Sequence, residues 1–433
     1  MKDTLVYVMA GGQGERLRPL TDFRAKPAVP FGGIFRIIDF TLSNCINSGL
    51  RKIYVLTQYK SHSLSNHLKS GWSMLSRRLD QFIDEVPAQQ QLGGSWYQGT
   101  ADAIRQNVNF VEENAPKRVL ILSGDHIYKQ DYRLLGRFHE AKGARLTVAC
   151  VRVPAEEAAG SFGVMEVDAD GRIVGFEEKP KVPKTIPGTT DCLASMGLYL
   201  FDADCLLQSL AGDLLDFGKD VIPMLLRRGE PVFAYDFTER NRFEEWEYTK
   251  REGVRQKELV PAASDCTYWR DVGTLEQYWL ANLDLVQPVP KFNVYGERFP
   301  VFSSPGHFPP AKFVHETPGR TGMAVNSIVA DGVIVSGATV RNSIVGCGAY
   351  VHSYTTVESS VLFGGSLRGG LITETDIGRD CRIKNAIVDK NVRLSAGTAI
   401  GFDRAEDERR GLRTVPITGS DEHIVVVPKD FVL

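Results

Sequence analysis

Four charged side chains far apart in the chain could together handle phosphate: Arg16 and Lys26 near the amino end, Asp125 and Asp271 much further on. Arginine and lysine neutralise phosphate oxygens through charge-assisted hydrogen bonds, worth about 1.5–3 kcal/mol each where water is kept away. Aspartates supply the hard oxygen ligands that magnesium prefers, and one or two suffice when substrate oxygens and water complete the shell. Asp125 follows the apolar run Arg118–Leu122 through Ser123-Gly124, and Asp271 sits in the turn Tyr268-Trp269-Arg270-Asp271-Val272-Gly273-Thr274. Capping the segment that follows is the competing role for either carboxylate.

Three further stretches suit the same chemistry. The apolar run Leu5–Ala10 leads directly into Gly11-Gly12-Gln13-Gly14-Glu15-Arg16. Glycines turn sharply there and let backbone N–H groups close on an anion. The spacing fits neither a P-loop, which needs Gly-Lys-Ser/Thr, nor a dinucleotide fingerprint, which needs a third glycine. A plain tight turn is the alternative, and Arg16 and Lys26 weigh against it. In Gly175-Phe176-Glu177-Glu178-Lys179-Pro180 the proline biases Lys179 toward extended backbone. A lysine there can reach a monoester phosphate while Glu178 accepts sugar hydroxyls, although a solvated charge run would look the same. Trp96-Tyr97-Gln98-Gly99-Thr100-Ala101-Asp102 joins glycine backbone, aromatic rings and a helix start, a combination suited to a base or a sugar. Its bland counterpart is a capped helix from Thr100 with core aromatics.

The elements that must position these groups follow from patterning. With 433 residues and an apolar fraction of 43%, the chain has enough material for two or three domains. Its 51 basic and 53 acidic residues nearly cancel, so no global field favours nucleic acid or an anionic membrane. No apolar stretch approaches the roughly 20 residues of a membrane span. Met1–Thr4 passes at once into a strand, with no room for a signal segment, and the seven cysteines lack any Cys-x-x-Cys pair. The expectation is a cytoplasmic protein with reduced core cysteines.

Lys52–Thr57, Arg118–Leu122 and Leu146–Val151 read as buried strands. Between them, Ala103, Ile104, Val108 and Val111 keep helical spacing, as do Leu134, Leu135, Phe138 and Ala141 before Gly143. This alternation predicts a mainly parallel sheet whose ligands bind beyond the carboxyl ends of the strands. Residues 286–318 are rich in proline and aromatics and read as a packed linker. Beyond them a six-residue beat runs through Val329 and Val335; Val345, Val351 and Val357; Ile377 and Ile383; Val388, Leu394 and Ile400. That period predicts a solenoid of short parallel strands with one hexad per face. The expected domains are therefore 1–285, 286–318 as linker, and 319–433.

Taken together, the glycine loop with Arg16, Arg24-Ala25-Lys26-Pro27, Arg36-Ile37-Ile38-Asp39-Phe40, Pro87–Gln90, Trp96–Asp102, Gly124-Asp125-His126-Ile127-Tyr128, Phe176–Pro180, Leu193–Gly197, Asp216-Phe217-Gly218-Lys219-Asp220 and Trp269–Thr274 resemble bacterial ADP-glucose pyrophosphorylases, also called glucose-1-phosphate adenylyltransferases. The resemblance spans nearly the whole chain. It implies a Rossmann-like nucleotidyltransferase domain with a mainly parallel mixed sheet, followed by a left-handed parallel β-helix of hexapeptide repeats for regulation and assembly. It also implies adenylyl transfer from ATP to α-D-glucose 1-phosphate with Mg2+, giving ADP-glucose and pyrophosphate, the committed step of bacterial glycogen synthesis.

Carried over by motif, Arg16, Lys26, Asp125 and Asp271 would be catalytic, with Asp125 and Asp271 on the metal. Gly11, Gly12, Gly14, Gln58, Gln90, Gly99 and Thr100 would hold ATP. Tyr97, Gly163, Glu178, Lys179 and Ser195 would hold glucose 1-phosphate. Arg24, Arg36 and a basic group at Arg379 or Arg382 would form an anion site for phosphorylated or carboxylate metabolite effectors. Phe23 stands where many fructose-bisphosphate-activated members carry lysine, which leaves the effector open. The resemblance further implies a homotetramer. Competing functions are a pyrophosphorylase for UTP, dTTP or GTP, a non-catalytic regulatory subunit, and a solenoid acyltransferase. Against the last, no catalytic histidine stands out among the hexads; His352 reads as surface.

Overall fold

The apolar run Thr4–Ala10 (β1) is central because both of its faces are covered: Leu5, Val6, Tyr7 and Val8 have no exposed surface. The computed structural model describes residues 1, 3–89, 96–304, 306–368 and 371–433. Parallel to β1 lie Lys52–Thr57 (β2), followed outward by Phe82–Pro87 (β3), and on the other side Arg118–Ser123 (β4). The sheet continues with Leu146–Pro154 (β5), Gly163–Val167 (β6), Ile173–Glu178 (β7), Asp191–Asp202 (β8) and Val232–Asp236 (β9). Its order is β7-β6-β8-β4-β1-β2-β3, with β5 beside β8 and β9 beside β5.

The sheet is mixed, because β8 runs antiparallel to β4, β5 and β6. The parallel block β4-β1-β2 matters most for function. Its carboxyl ends share one rim, from which the glycine loop, Gln58 and Asp125 emerge. Helices cover both faces, Ile37–Asn47 and Tyr132–Lys142 on one, Thr100–Arg105 and Ala203–Ser209 on the other. The spacing of Ala103, Ile104, Val108 and Val111 yields two helices, Thr100–Arg105 and Asn109–Asn114. The side chain of Asn107 donates to the Ala103 carbonyl at 2.8 Å, which closes the first helix early. Gly143 takes φ 57° at the end of Tyr132–Lys142, as its position predicts. An antiparallel hairpin, Glu244–Arg251 with Val254–Pro261, had no counterpart in the sequence reading.

In the carboxyl-terminal region, short parallel strands stack into three sheets around an apolar interior. All of the hexad residues beyond Val329 are buried: Val335, Val345, Val351, Val357, Ile377, Ile383, Val388, Leu394 and Ile400. One β-branched or leucine side chain per hexad thus lines the coil axis. Lys312–Val314 already pairs with Ile334–Ser336, so the solenoid begins inside the stretch expected to be linker. The preceding segment is packed, with Phe292 and Phe299 buried. His352, expected on the surface, is half-buried and paired to Asp376 at 2.8 Å. All seven cysteines are free and buried. No helix among the described residues is long and apolar enough to cross a membrane.

The two domains share a core. Phe31, Tyr278 and Trp279 pack with Ile344, Val361, Ile387 and Val426 of the solenoid. The Trp279 indole donates to the Ser359 carbonyl at 2.8 Å, and Arg24 forks onto Asp389 at 2.9 and 3.0 Å with both side chains buried. Truncating a solenoid axis residue should cost stability without touching the rim of the sheet. Ile383→Ala is expected to lose about 2–5 kcal/mol in chemical denaturation, with turnover at saturating substrate close to that of the wild type.

Candidate active site

The amino-end loop takes its shape from Gly14, which has φ 65° and caps the short helix Glu15–Leu17. A Cβ at Gly14 would meet Thr21 at 3.0 Å and Lys26 at 3.2 Å, so the loop can close on the Lys26 stem only without a side chain. Lys26 is itself buried, and its ammonium is fully committed: 3.0 Å from Asp125 Oδ2, 3.1 Å from Asp271 Oδ1 and 2.8 Å from the Asp271 carbonyl. Residues nearly 250 positions apart meet there because β4 delivers Asp125 to the rim and the strand Trp269–Arg270 pairs with Ile127–Tyr128 beside it. Neither aspartate serves as a helix cap.

His126 joins the pair, with Nε2 3.5 Å from Asp125 and 3.4 Å from Asp271. Ser123 Oγ donates to Asp125, and Arg16, largely exposed, reaches Asp271 Oδ2 at 3.8 Å. Burial would favour the neutral form of each group, but opposite charge prevails. Lys26 is held above the usual lysine range by Asp125 and Asp271, and both carboxyls are held below the usual carboxylate range by Lys26 and His126. The donor atoms of Asp125, His126 and Asp271 lie within 4.8 Å of one another, a set able to hold one ion. Two carboxylates beside the glycine-loop cavity fit Mg2+, which takes one or two carboxylates and completes its shell with phosphate oxygens and water.

That cavity, about 640 Å3, is lined by Gly11, Gly12, Gly14, Arg16, Lys26, Gln58, Tyr97, Gly99, Thr100, Asp125 and Asp271, and also by Ser123 and Asp216. Gln90 lies outside the described residues. Gly99 is in extended backbone pressed against Leu215, where a Cβ would come 2.2 Å from the carbonyl oxygen. Asp102 fixes the same loop by accepting the Gln98 N–H at 2.9 Å.

Residues expected around the sugar phosphate gather next to this cavity. Gly163 and Glu178 face each other across β6 and β7, and a Cβ on Gly163 would crowd Glu178 at 2.8 Å. Burial, then the neighbouring Asp216, pushes the Glu178 carboxyl up. Glu178 and Asp216 converge on Gly218, where a Cβ would meet Glu178 Oε2 at 2.8 Å and Asp216 Oδ1 at 3.3 Å, and Ser195 lies beside Tyr199 in the same region. Thr100 Oγ1 donates to Asp216 at 3.1 Å and links the cluster to the glycine-loop cavity. Lys179 corrects the sequence expectation: it is exposed with φ 51° and is not extended. Backbone bonds hold it so, from the Lys179 N–H to the Phe162 carbonyl and from the Gly160 N–H to the Pro180 carbonyl.

The basic residues expected at an effector site separate into two groups. Arg36 and Lys390 line a cavity of about 470 Å3 between the domains, and Arg24 stands behind it on Asp389. Arg379 and Arg382 are exposed elsewhere on the solenoid, stacked over Tyr354 and Phe402. Burial, with Arg36 and Arg24 close by, pushes the Lys390 ammonium down to about 7. Sequence reasoning gave no role to Ser123, His126, Asp216 or Lys390. The first three stand in or beside motifs that were legible; Lys390 lies in a polar turn with no motif of its own.

Comparison with known proteins agrees with this geometry. A family model described as Nucleotidyl transferase matches residues 5–287, and one described as GlmU-like, C-terminal hexapeptide matches residues 309–427. Glucose-1-phosphate adenylyltransferase 2 of Pseudoalteromonas atlantica is 46% identical over 95% of this chain and 92% of its own length. The glucose-1-phosphate adenylyltransferases of Shewanella oneidensis and Alteromonas mediterranea are each 44% identical over 99% of this chain, covering 95% and 93% of their own lengths. The chain belongs to the glucose-1-phosphate adenylyltransferase family. Within this family frame, the Gly99 contact gives a direct test. Gly99→Ala should push the Trp96–Thr100 loop off Leu215 and weaken nucleotide binding by about tenfold or more, read by titration calorimetry, with the melting temperature within a few degrees of wild type.

Proposed function

We propose that this chain transfers the adenylyl group of ATP to α-D-glucose 1-phosphate, releasing pyrophosphate and forming ADP-glucose for glycogen synthesis. The observation that carries the reading is Lys26 held between Asp125 and Asp271 at the mouth of the glycine-loop cavity. A phosphate oxygen of the sugar ester attacks the α-phosphorus of ATP; the bond from that phosphorus to the bridging oxygen of pyrophosphate breaks, and pyrophosphate carries away the electron pair. No protein nucleophile is required, so catalysis rests on alignment and charge neutralisation.

In this reading the glycine loop and Arg16 cradle the triphosphate, and Lys26 stabilises charge building on the leaving pyrophosphate. Gln58, Gly99 and Thr100 bound the nucleotide; Tyr97, Gly163, Glu178, Lys179 and Ser195 orient the sugar ester, with Asp216 joining the two groups. Mg2+, held by Asp125 and Asp271, would supply Lewis-acid neutralisation of the phosphate oxygens. The same reading includes a homotetramer, which light scattering tests, and an effector anion at the interdomain cavity of Arg36 and Lys390 with Arg24 behind them.

Pyrophosphate release assayed with ATP, UTP, GTP and dTTP tests the function, with ATP expected to be preferred; preference for another nucleotide overturns the adenylyl assignment. Asp125→Ala should lower kcat by about a hundredfold or more with a modest change in KM. Lys179→Ala should chiefly raise KM for glucose 1-phosphate, by roughly tenfold. The Lys390 ammonium is charged below about pH 7 and neutral above it. Affinity for an anionic effector should therefore fall as pH rises through that value, and Lys390→Met should flatten the profile.

A further inference from the structure

Three of the four oxygens of the carboxylate pair are held by a protein donor, and the fourth faces an arginine. Asp125 Oδ2 and Asp271 Oδ1 take the Lys26 ammonium at 3.0 and 3.1 Å. Asp125 Oδ1 takes Ser123 and faces His126 at 3.5 Å, while Asp271 Oδ2 faces Arg16 at 3.8 Å. Lys26 therefore occupies the position a divalent ion would need, and it is held there by a third contact, the Asp271 carbonyl at 2.8 Å. Two cations cannot share two carboxylates at that range without strong mutual repulsion. Lys26 is buried and the two aspartates are only partly exposed, at 28% and 19% of their side-chain surface, so solvent screens the conflict in part.

We propose that Lys26 is a built-in counter-ion that occupies the metal position in the nucleotide-free protein and leaves it only when a triphosphate offers the ammonium another anion. The proposal rests on the nucleotidyltransferase reading and adds an order of events to it. With the triphosphate in the glycine loop, the ammonium exchanges its carboxylates for phosphate oxygens, and Asp125 and Asp271 become free to take the divalent ion that accompanies the nucleotide. Metal and nucleotide binding are then coupled through one side chain, and the coupling is reciprocal. The exchange involves no covalent change. The bare protein is kept from loading a metal without substrate, and the buried ammonium is never left without a counter-charge.

The test reads binding of Mn2+, as a magnetic probe, to the full nucleotide-free chain by electron paramagnetic resonance. Lys26→Met and Lys26→Gln both remove the resident charge, and Lys26→Arg keeps it. Both neutral variants should bind Mn2+ more tightly than wild type, on the order of tenfold or more, while their affinity for ATP falls. Lys26→Arg should stay near wild type in Mn2+ affinity. A merely structural lysine would predict the opposite sign, with metal and nucleotide affinity lost together, and melting curves identify any variant that fails to fold. Neutral, folded variants that bind Mn2+ no better than wild type overturn the proposal. The outcome is separable from that of the proposed function: wild type releasing no pyrophosphate from any nucleotide would refute the activity, whereas the Mn2+ comparison needs no turnover.

Discussion

One buried ammonium fastens this protein together at its working end. Lys26 contacts residues that the chain supplies from a sheet strand and from a distant turn, and it does so where the glycine loop bends over its stem. A buried charge in that setting is tolerable only because two carboxylates and a carbonyl satisfy it. The arrangement explains why the strand pair Trp269–Arg270 and Ile127–Tyr128, otherwise a minor element, must be where it is. Displaced, it would strand Asp271 and leave Lys26 with a single partner.

Around that contact the fold divides its labour. The parallel block of the sheet sets a rigid rim, because its strands are buried along most of their length and packed on both faces. Loops hung on the rim carry the chemistry, and their shapes depend on a few close approaches, Gly14 on Lys26 and Gly99 on Leu215. The Thr100–Asp216 bond joins the glycine-loop cavity to the polar side chains around Glu178 across the rim of the sheet.

Much of this was legible in the sequence. Buried strands declared themselves by unbroken apolar runs, and the hexad phase located the solenoid axis residue by residue, because parallel coils repeat the same environment every turn. Asp125 and Asp271 could be matched to one ion by their chemistry, with capping as the competing role, and Lys26 is where the two meet. What was missed has physical reasons. The αL backbone of Lys179 comes from long-range bonds to Phe162 and Gly160, which local propensity does not encode. The hairpin Glu244–Pro261 is mostly exposed and rich in charged residues, so the short Trp246–Tyr248 alternation is too brief to mark a strand. The solenoid starts at Lys312 because a first coil needs only one neighbour to pair with, and the prolines that suggest a linker are tolerated at such an edge.

The core common to the two domains carries a consequence for how this protein can be dissected. Tyr278 and Trp279 lie on a helix of the nucleotidyltransferase domain yet are sealed by solenoid side chains, and Arg24 grips both carboxylate oxygens of Asp389. A shortened chain ending after residue 311 would open that seam to water, exposing a broad greasy face and a guanidinium shorn of its counter-charge. Such a fragment would be a sticky, weakened protein, and comparing it with the intact chain would measure damage before it measured regulation.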